Sequence, residues 1–442
     1  MHFSPIHDPR ITESEKLSLT LGAYRIYFGN GEIVMGRKIR WRTGSGQMDH
    51  EVIEAPTPHI LIESRKELHG WWRGKRECTS ERLLINPYNG CSIDCFCCYA
   101  KALPGYFQLF RQHQVVTVCR DFDQVVSRQL DDLLVASCGY LSPVTDPFQP
   151  VEKRYRLSEK IIGEFVQRNI PIEFITKSHF RPEVVQLLRR QKHSFGQISI
   201  LTPRENLRRR LMAGGATTDE LFGNLHRLAK AGIHAVCRID PIIPHVTDDA
   251  ADLFRLARRA RDCGARHIVA SIMDIPRRLA AEIFRHLSTL GDGLVYRAKN
   301  LYRELIDGSL HADLDYRRAV FSRLREECDR LGLTFALCME YRLEKSRPVG
   351  LNAEFMSSVN CEGIDIPVYV RSGDQFQPAS DCDGACLTCQ VPRCGIQDLA
   401  MGRPEAARRD FYLRDYRRWS CEVLAQTSHQ KGLNIWDSVP ER

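Results

Sequence analysis

No apolar stretch in these 442 residues approaches the roughly 20 that a membrane-spanning helix needs, so a membrane partner is not expected. The opening MHFSPIHDPRITESEK lacks the charged-then-apolar order of a secretion signal, and a cytoplasmic location is expected. There is no internal repeat and no low-complexity tract, which sets aside a solenoid or a disordered array. Charge of one sign is also scarce. Sixty-three Lys and Arg face 55 Asp and Glu, and the resulting net charge of +8 permits a nucleic-acid or nucleotide partner without requiring one. The runs Arg208-Arg209-Arg210 and Arg408-Arg409 fall on helical segments and read first as solvated faces.

Cysteine is what the chain has in excess, with 17 residues. In a reducing compartment such thiols serve metal or redox chemistry rather than disulfides. Three of them, Cys91, Cys95 and Cys98, stand as C-x3-C-x2-C within NPYNGCSIDCFCCYA, directly after the apolar run Leu83 to Ile85. Three thiolates on one loop hold three corners of a cubic iron-sulfur cluster and leave a fourth iron open to a small molecule. A structural zinc site wants four closed ligands, usually in pairs, and suits this spacing poorly.

Residues 1–82 mix short alternating runs, Ala23 to Phe28 and Ile33 to Met35, with Gly and Pro, and read as a small β-rich region. Within it Trp71-Trp72-Arg73-Gly74-Lys75-Arg76 either stacks on bases or caps the end of a barrel, the second being preferred. Residues 83–345 alternate strand-like runs with amphipathic stretches, the pattern of a parallel sheet with crossover helices. The strands expected are Leu83–Ile85, Leu133–Leu141, Ile172–Thr176, Ile198–Leu201, Ala235–Ile239, Ile268–Met273 and Leu333–Met339. Helices are expected over Ser158 to Arg168, Glu183 to Arg190 and Thr218 to Ala231. Residues 346–442 form a C-terminal region of different character.

The cysteine loop after a strand, followed by Tyr99, resembles the radical S-adenosylmethionine (radical SAM) superfamily. The resemblance implies an α/β fold, a partial (β/α)6 TIM-type barrel with small N- and C-terminal additions. It also implies a 4Fe-4S cluster whose open iron chelates SAM, and an electron that cleaves the sulfonium to a 5'-deoxyadenosyl radical. An electron donor such as flavodoxin or ferredoxin is implied with it. In the family the residue before the last ligand is usually aromatic and lies near the adenine; here Cys97 takes that place and Phe96 stands one earlier.

In such barrels functional groups gather at the C-terminal ends of the strands. There the chain carries SPVTDPFQPVE from Ser142, ITKS from Ile175, SIL from Ser199 and RIDPIIP from Arg238. These endings resemble the branch containing spore photoproduct lyase and DNA-repair-photolyase-like proteins. Thr145 and Asp146 offer acceptors for the amino group of SAM, Lys177 a cation for its carboxylate, and Ser199 a hydroxyl for carboxylate or ribose. Arg238 and Asp240 read equally as a structural ion pair. By the lyase resemblance Tyr99 serves hydrogen-atom return, whereas Cys138 lies too early on its strand for the lyases' donor and reads as a buried thiol.

Towards the C-terminus, DCDGACLTCQVPRC places Cys382, Cys386, Cys389 and Cys394 within thirteen residues, with Cys361 upstream. Five thiols exceed what a closed centre needs, with Cys361 and Cys382 the less certain ligands, and either a second iron-sulfur cluster or zinc suits the set. Spore photoproduct lyases lack it. The leading functional expectation is a radical SAM enzyme abstracting hydrogen from a nucleic acid, nucleotide or nucleoside. Sulfur insertion or peptide modification at the auxiliary cluster is the alternative, and a non-catalytic iron-sulfur protein that binds nucleic acid or senses redox state is a third.

Overall fold

The computed structural model describes residues 24–27, 33–43, 46–72, 78, 80–103, 105, 107–403 and 410–419. Seven short strands lie side by side: β1 (Arg82–Ile85), β2 (Cys138–Leu141), β3 (Ile172–Thr176), β4 (Phe195–Ser199), β5 (Ala235–Ile242), β6 (His267–Ile272) and β7 (Thr334–Leu337). They follow one another in chain order across the sheet, and every pairing is parallel. Parallel neighbours need a crossover, and amphipathic helices supply it. Helix α1 (Leu157–Gln167) joins β2 to β3, α2 (Pro182–Leu188) β3 to β4, α3 (Thr218–Lys230) β4 to β5 and α4 (Ala250–Asp262) β5 to β6. The longer β6–β7 crossover carries α5 (Ala280–Leu290), α6 (Leu294–Leu301) and α7 (Leu314–Arg330). Among the described residues β1 and β7 do not pair, so the sheet is a parallel α/β barrel left open at one seam.

The expected helices begin by devices outside their own apolar pattern. Helix α3 is opened by a capping box in which the Thr217 hydroxyl accepts from Glu220 N at 3.2 Å. Helix α1 has no capping side chain of its own; the buried Glu152 carboxylate accepts from Ser158 N and Glu159 N at 3.1 and 3.0 Å. The first signal is local to α3, whereas the second comes from the helical turn that precedes α1.

Two expected strands differ. Leu133–Leu141 divides: Cys138–Leu141 enters the main sheet, while Val135–Ala136 pairs with Tyr369 and Val370 of a C-terminal hairpin. Ile33–Met35 is the start of an eleven-residue strand, Ile33–Thr43, whose charged, alternating second half pairs with Gly46–Val52. Tyr24–Tyr27 completes that three-stranded sheet; Ala23 and Phe28 lie outside the described residues. His59–Glu63 pairs instead with Val116–Arg120 beyond the cysteine loop. Of the Trp71–Arg76 cluster, Arg73 to Arg76 lie outside the described residues, as do Arg408 and Arg409. Trp71 donates its indole N–H to Ser80 O at 3.0 Å and meets Tyr140 edge-on at 5.5 Å, as a barrel-end cap does. No helix among the described residues is long and apolar enough to cross a membrane.

The barrel interior is polar along one line. Arg82 at the start of β1, 2% exposed, pairs with fully buried Glu173 of β3 at 2.7 Å and with Glu362. Glu173 accepts from Gln197 of β4 at 2.6 Å, and Gln197 in turn accepts from Arg238 of β5 at 2.9 Å. Arg238 pairs with Asp240, and Asp240 accepts from Ser271 of β6. Glu362 arrives from the C-terminal region: its backbone carbonyl accepts from His234 at 2.9 Å and that of Cys361 from His267 at 3.1 Å, both at the N-terminal ends of strands. Residues 360–363 thus plug the bottom of the barrel.

Replacing Arg82 with Met keeps most of the volume but leaves two buried carboxylates without their cation. That loss is expected to cost about 3–5 kcal/mol, read as a marked fall in the thermal unfolding midpoint; an unchanged midpoint would show that the line of charges carries no stability.

Candidate active site

The loop after β1 is held from several sides. Fully buried Gln149 donates to Gly90 O at 3.2 Å and accepts from Ser92 N at 3.0 Å. Ile93 O accepts from Gly214 N and Leu211 O from Phe96 N, each at 3.2 Å. Gly214 is required there by space, since a Cβ would stand 2.0 Å from Ser92 O. Lys101, buried, pairs with Asp94 at 2.8 Å across the loop. The Cys91, Cys95 and Cys98 sulfurs are electrostatic neighbours. Burial pushes each thiol up, Cys95 to about 12, and mutual proximity of the anions adds to it. Three thiolates at one place are therefore stable only around a cationic centre, and their donor chemistry fits an iron-sulfur cluster. Cys97, also buried, sits beside Cys95 and Cys98.

The strand ends bring the expected cofactor residues to this loop. Lys177, following β3, lies near Cys95, Asp240 and Cys97; burial lowers its pKa, but these three outweigh it and hold the ammonium above its ordinary range. Among the described residues its Nζ has no ion-pair or hydrogen-bond partner. The hydroxyls of Thr145 and Ser199 are buried and unpartnered, as are Ser142 Oγ and Asn86 Oδ1 at neighbouring strand ends. Buried polar atoms without partners are rare in folded chains. Four at one end of one sheet, with an uncommitted ammonium, fit a polar ligand such as SAM.

Other expected residues are placed differently. Asp146 accepts from Phe148 N at 2.9 Å, the Thr176 hydroxyl at 2.9 Å and Lys177 N at 2.7 Å. Burial holds its carboxylate above the usual range despite these donors, and the carboxylate fixes the backbone that carries Lys177. Phe96 is buried and stacks on His286 of α5 at 4.3 Å. Tyr99 is half exposed, donates to Pro143 O at 2.7 Å, and neighbours Cys98, Cys338, Asp240 and Arg238. Arg238 and Asp240, two apart on β5, share a face and pair within the strand; burial would raise Asp240, but Arg238 and Lys177 hold it below the usual carboxylate range. Cys138 is a buried thiol bonded to Gly139 O.

Sequence reasoning passed over Cys338. It follows β7 directly, bonds to Arg238 and neighbours Asp240. The signal was available, because it stands at a strand's C-terminal end as Lys177 and Asp240 do.

The C-terminal thiols divide. The Cys382 sulfur accepts from the Cys394 thiol, which lowers Cys382 to about 6 and raises Cys394. Cys386 neighbours Cys394, and Cys389 neighbours Cys382. Among the described residues no three Cys, His, Asp or Glu side chains converge on a single-ion position. Cys361, counted with this set on sequence grounds, is elsewhere: it bonds to the Cys78 thiol inside the barrel plug. Its carbonyl on His267 and the neighbouring Glu362 on Arg82 hold it there.

Residues 85–257 match the Radical SAM superfamily. The chain is also 28% identical over 366 residues to the radical SAM Nalpha-GlyT isomerase of Pseudomonas phage M6, covering 77% of this chain and 75% of that one. Over residues 85–257 it carries a radical SAM domain. A shorter similarity, 24% over 171 residues, links it to an uncharacterized protein, MJ0683, of Methanocaldococcus jannaschii, over 38% of this chain and 62% of that one. The spore photoproduct lyase complexed with dinucleoside spore photoproduct superposes with a TM-score of 0.50 at 11% identity, over 63% of this chain and 82% of the lyase, a likeness of fold. The superfamily implies a 4Fe-4S cluster and SAM, and the cysteine loop with the strand ends beside it has the donors to hold them.

Lys177→Ala removes the uncommitted ammonium from the strand ends. A charge-assisted contact of this kind contributes about 1.5–3 kcal/mol, so SAM affinity is expected to fall roughly ten- to 150-fold by equilibrium binding while the cluster's visible spectrum persists. Unchanged affinity would return Lys177 to a structural role.

Proposed function

We propose that this radical SAM enzyme abstracts hydrogen from a nucleotide-like substrate held at the C-terminal mouth of the barrel. The observation that carries the reading is the meeting, at that mouth, of the three-thiol loop, the uncommitted Lys177 ammonium and the orphaned hydroxyls of Thr145 and Ser199. In this reading Cys91, Cys95 and Cys98 hold the cluster, Lys177 takes the carboxylate of SAM, and Thr145 and Ser199 accept from or donate to its amino, carboxylate or ribose groups. Asp146 acts through Lys177 by fixing its backbone. When bound, the cluster and SAM together supply a carbon radical able to take hydrogen from an unactivated C–H bond. In the same reading Tyr99, beside Cys98 on the loop, returns hydrogen. The modest positive balance and the isomerase relative support a nucleotide-like substrate and a rearrangement rather than a cleavage. An external one-electron donor of flavodoxin or ferredoxin type completes the requirement.

The test is anaerobic reconstitution with dithionite. The Cys91/Cys95/Cys98 triple Ala variant is expected to release no 5'-deoxyadenosine, and deuterated nucleosides or oligonucleotides are expected to pass label into the 5'-deoxyadenosine made by the parent. Release from the triple variant would place the radical site elsewhere, and absence of label from every nucleic-acid substrate would overturn the substrate.

A second reading, sulfur insertion or peptide modification, is favoured by one observation, the Cys382/Cys386/Cys389/Cys394 group. We infer that these four thiols, without Cys361, form the second centre. In the background of the loop triple variant, Ala at any of the four is expected to lose its metal, and Cys361→Ala to keep it. About four irons with sulfide would mark a cluster, and one zinc without sulfide a structural clip. Loss of metal in Cys361→Ala would contradict the assignment.

A further inference from the structure

The β6–β7 crossover contains an insert, residues 275–312, built from α5, α6 and the sheet of Ile275–Pro276, Ser309–Ala312 and Tyr302–Ile306. It sits against the cysteine loop. His286 stacks on Phe96 and its Nε2 meets Arg210 O at 3.0 Å, while Glu282 pairs with Arg111 at 3.1 Å. The insert therefore packs directly on the loop that carries the three thiols.

The insert is unusual in its exposed charge. Arg277, Arg278, Arg285, Arg297, Lys299 and Arg303 are all exposed, and among the described residues none has an ion-pair partner. Two of the insert's carboxylates are committed elsewhere, Glu282 to Arg111 and Glu304 to Arg317. The arginines of α4, equally dense, are the contrast. Arg255 pairs with Asp252, Arg258 with Glu327, Arg259 with Asp219 and Arg261 with Asp262. Amid the unpaired cations stands Tyr296, 73% exposed, at a cleft of about 470 Å³ that also includes Ser288, Asp292 and Lys299. An exposed aromatic ring beside Lys299, on an insert whose six exposed cations outnumber its two uncommitted carboxylates, Asp292 and Asp307, matches single-stranded nucleic acid, where cations track phosphates and a ring stacks a base.

We propose that the exposed cations of this insert bind the phosphate backbone of a single-stranded polynucleotide, with Tyr296 as a stacking platform. The target base then reaches the barrel mouth as part of a strand. The proposal rests on the nucleotide-like substrate reading and narrows it from free nucleotide to polymer. An acidic peptide would satisfy the cations but leaves the exposed ring unexplained.

The test uses the reconstituted holoenzyme, a fluorescein-labelled 20-residue single-stranded oligonucleotide, and the variants Tyr296→Ala and Arg285→Ala/Arg297→Ala/Lys299→Ala, all at exposed positions. The triple variant is expected to bind at least tenfold more weakly. Its plot of log affinity against log salt should be shallower by about 0.7 for each phosphate that is no longer neutralised. Tyr296→Ala is expected to weaken binding roughly five- to 150-fold, and uncoupled 5'-deoxyadenosine release should match the parent in both. Parent-like affinity and salt slope in the triple variant, or competition by polyglutamate as strong as by oligonucleotide, would overturn the proposal. Weakened binding in both variants, with no hydrogen transfer from any nucleic acid, would uphold the surface while overturning the substrate reading.

Discussion

One buried line of charge governs how this barrel is put together. Glu362, Arg82, Glu173, Gln197, Arg238, Asp240 and Ser271 join the C-terminal plug to five of the seven strands, from the bottom of the sheet to its mouth. Charges taken out of water are costly, and they persist only where partners satisfy them. Each member here has its partner on a different strand or segment, apart from the Arg238–Asp240 pair within β5. The line therefore fixes how far the sheet curls. It also sets the electrostatics at its upper end, where Asp240 faces both Arg238 and Lys177. Because Arg238 takes the closer share of Asp240, the Lys177 ammonium is left drawn towards the cysteine loop without a carboxylate of its own.

The same loop is restrained from outside the barrel by packing rather than charge. Phe96 lies one residue before Cys97, and its ring is held by His286, which in turn bonds Arg210 O at the end of the helix after β4. Gly214, just beyond that helix, closes against Ser92 with no room for a side chain. The ring that the resemblance expects near the adenine of SAM stacks on His286 and so seats the insert against the loop. The consequence is positional: the insert that follows β6 is packed on the thiol loop that follows β1, far from it in sequence.

How much of this was legible follows from the range of each signal. The cysteine loop, the seven strands and the placing of Lys177, Thr145 and Ser199 at strand ends came from local spacing and from apolar runs, which the structure reproduces within a few residues. Val135–Ala136 could not be separated from β2, because the break between them is made by Tyr369, more than two hundred residues later. Asp146 reads in sequence as an available acceptor, and only the folded chain reveals that Lys177 N, Phe148 N and Thr176 already occupy it. Cys361 was misplaced for the same reason. Its neighbours along the chain are the C-terminal thiols, but its neighbours in space are Cys78, His267 and the carboxylate chain that begins at Glu362.

That misplacement has a structural consequence for the C-terminal region as a whole. Among the places where the region meets the core are residues 360–363, which enter the barrel from below, and Tyr369–Ser372, which extends the short strand leading into β2. Cys382, Cys386, Cys389 and Cys394 come after both anchors, on a loop tied to the rest by Met401 N on Cys386 O and Gly402 N on Cys389 O. Gly384 is needed there, at φ +78°, because a Cβ would fall 1.9 Å from Ile366 O. The four-thiol loop is thus pressed onto residues that directly follow the plug. A centre formed by those thiols would brace the tail that closes the barrel floor, and that mechanical role holds whether the centre is a cluster or zinc. Any further part in chemistry requires it to communicate with the mouth, and the buried charges from Glu362 to Asp240 are the continuous polar connection between the two ends.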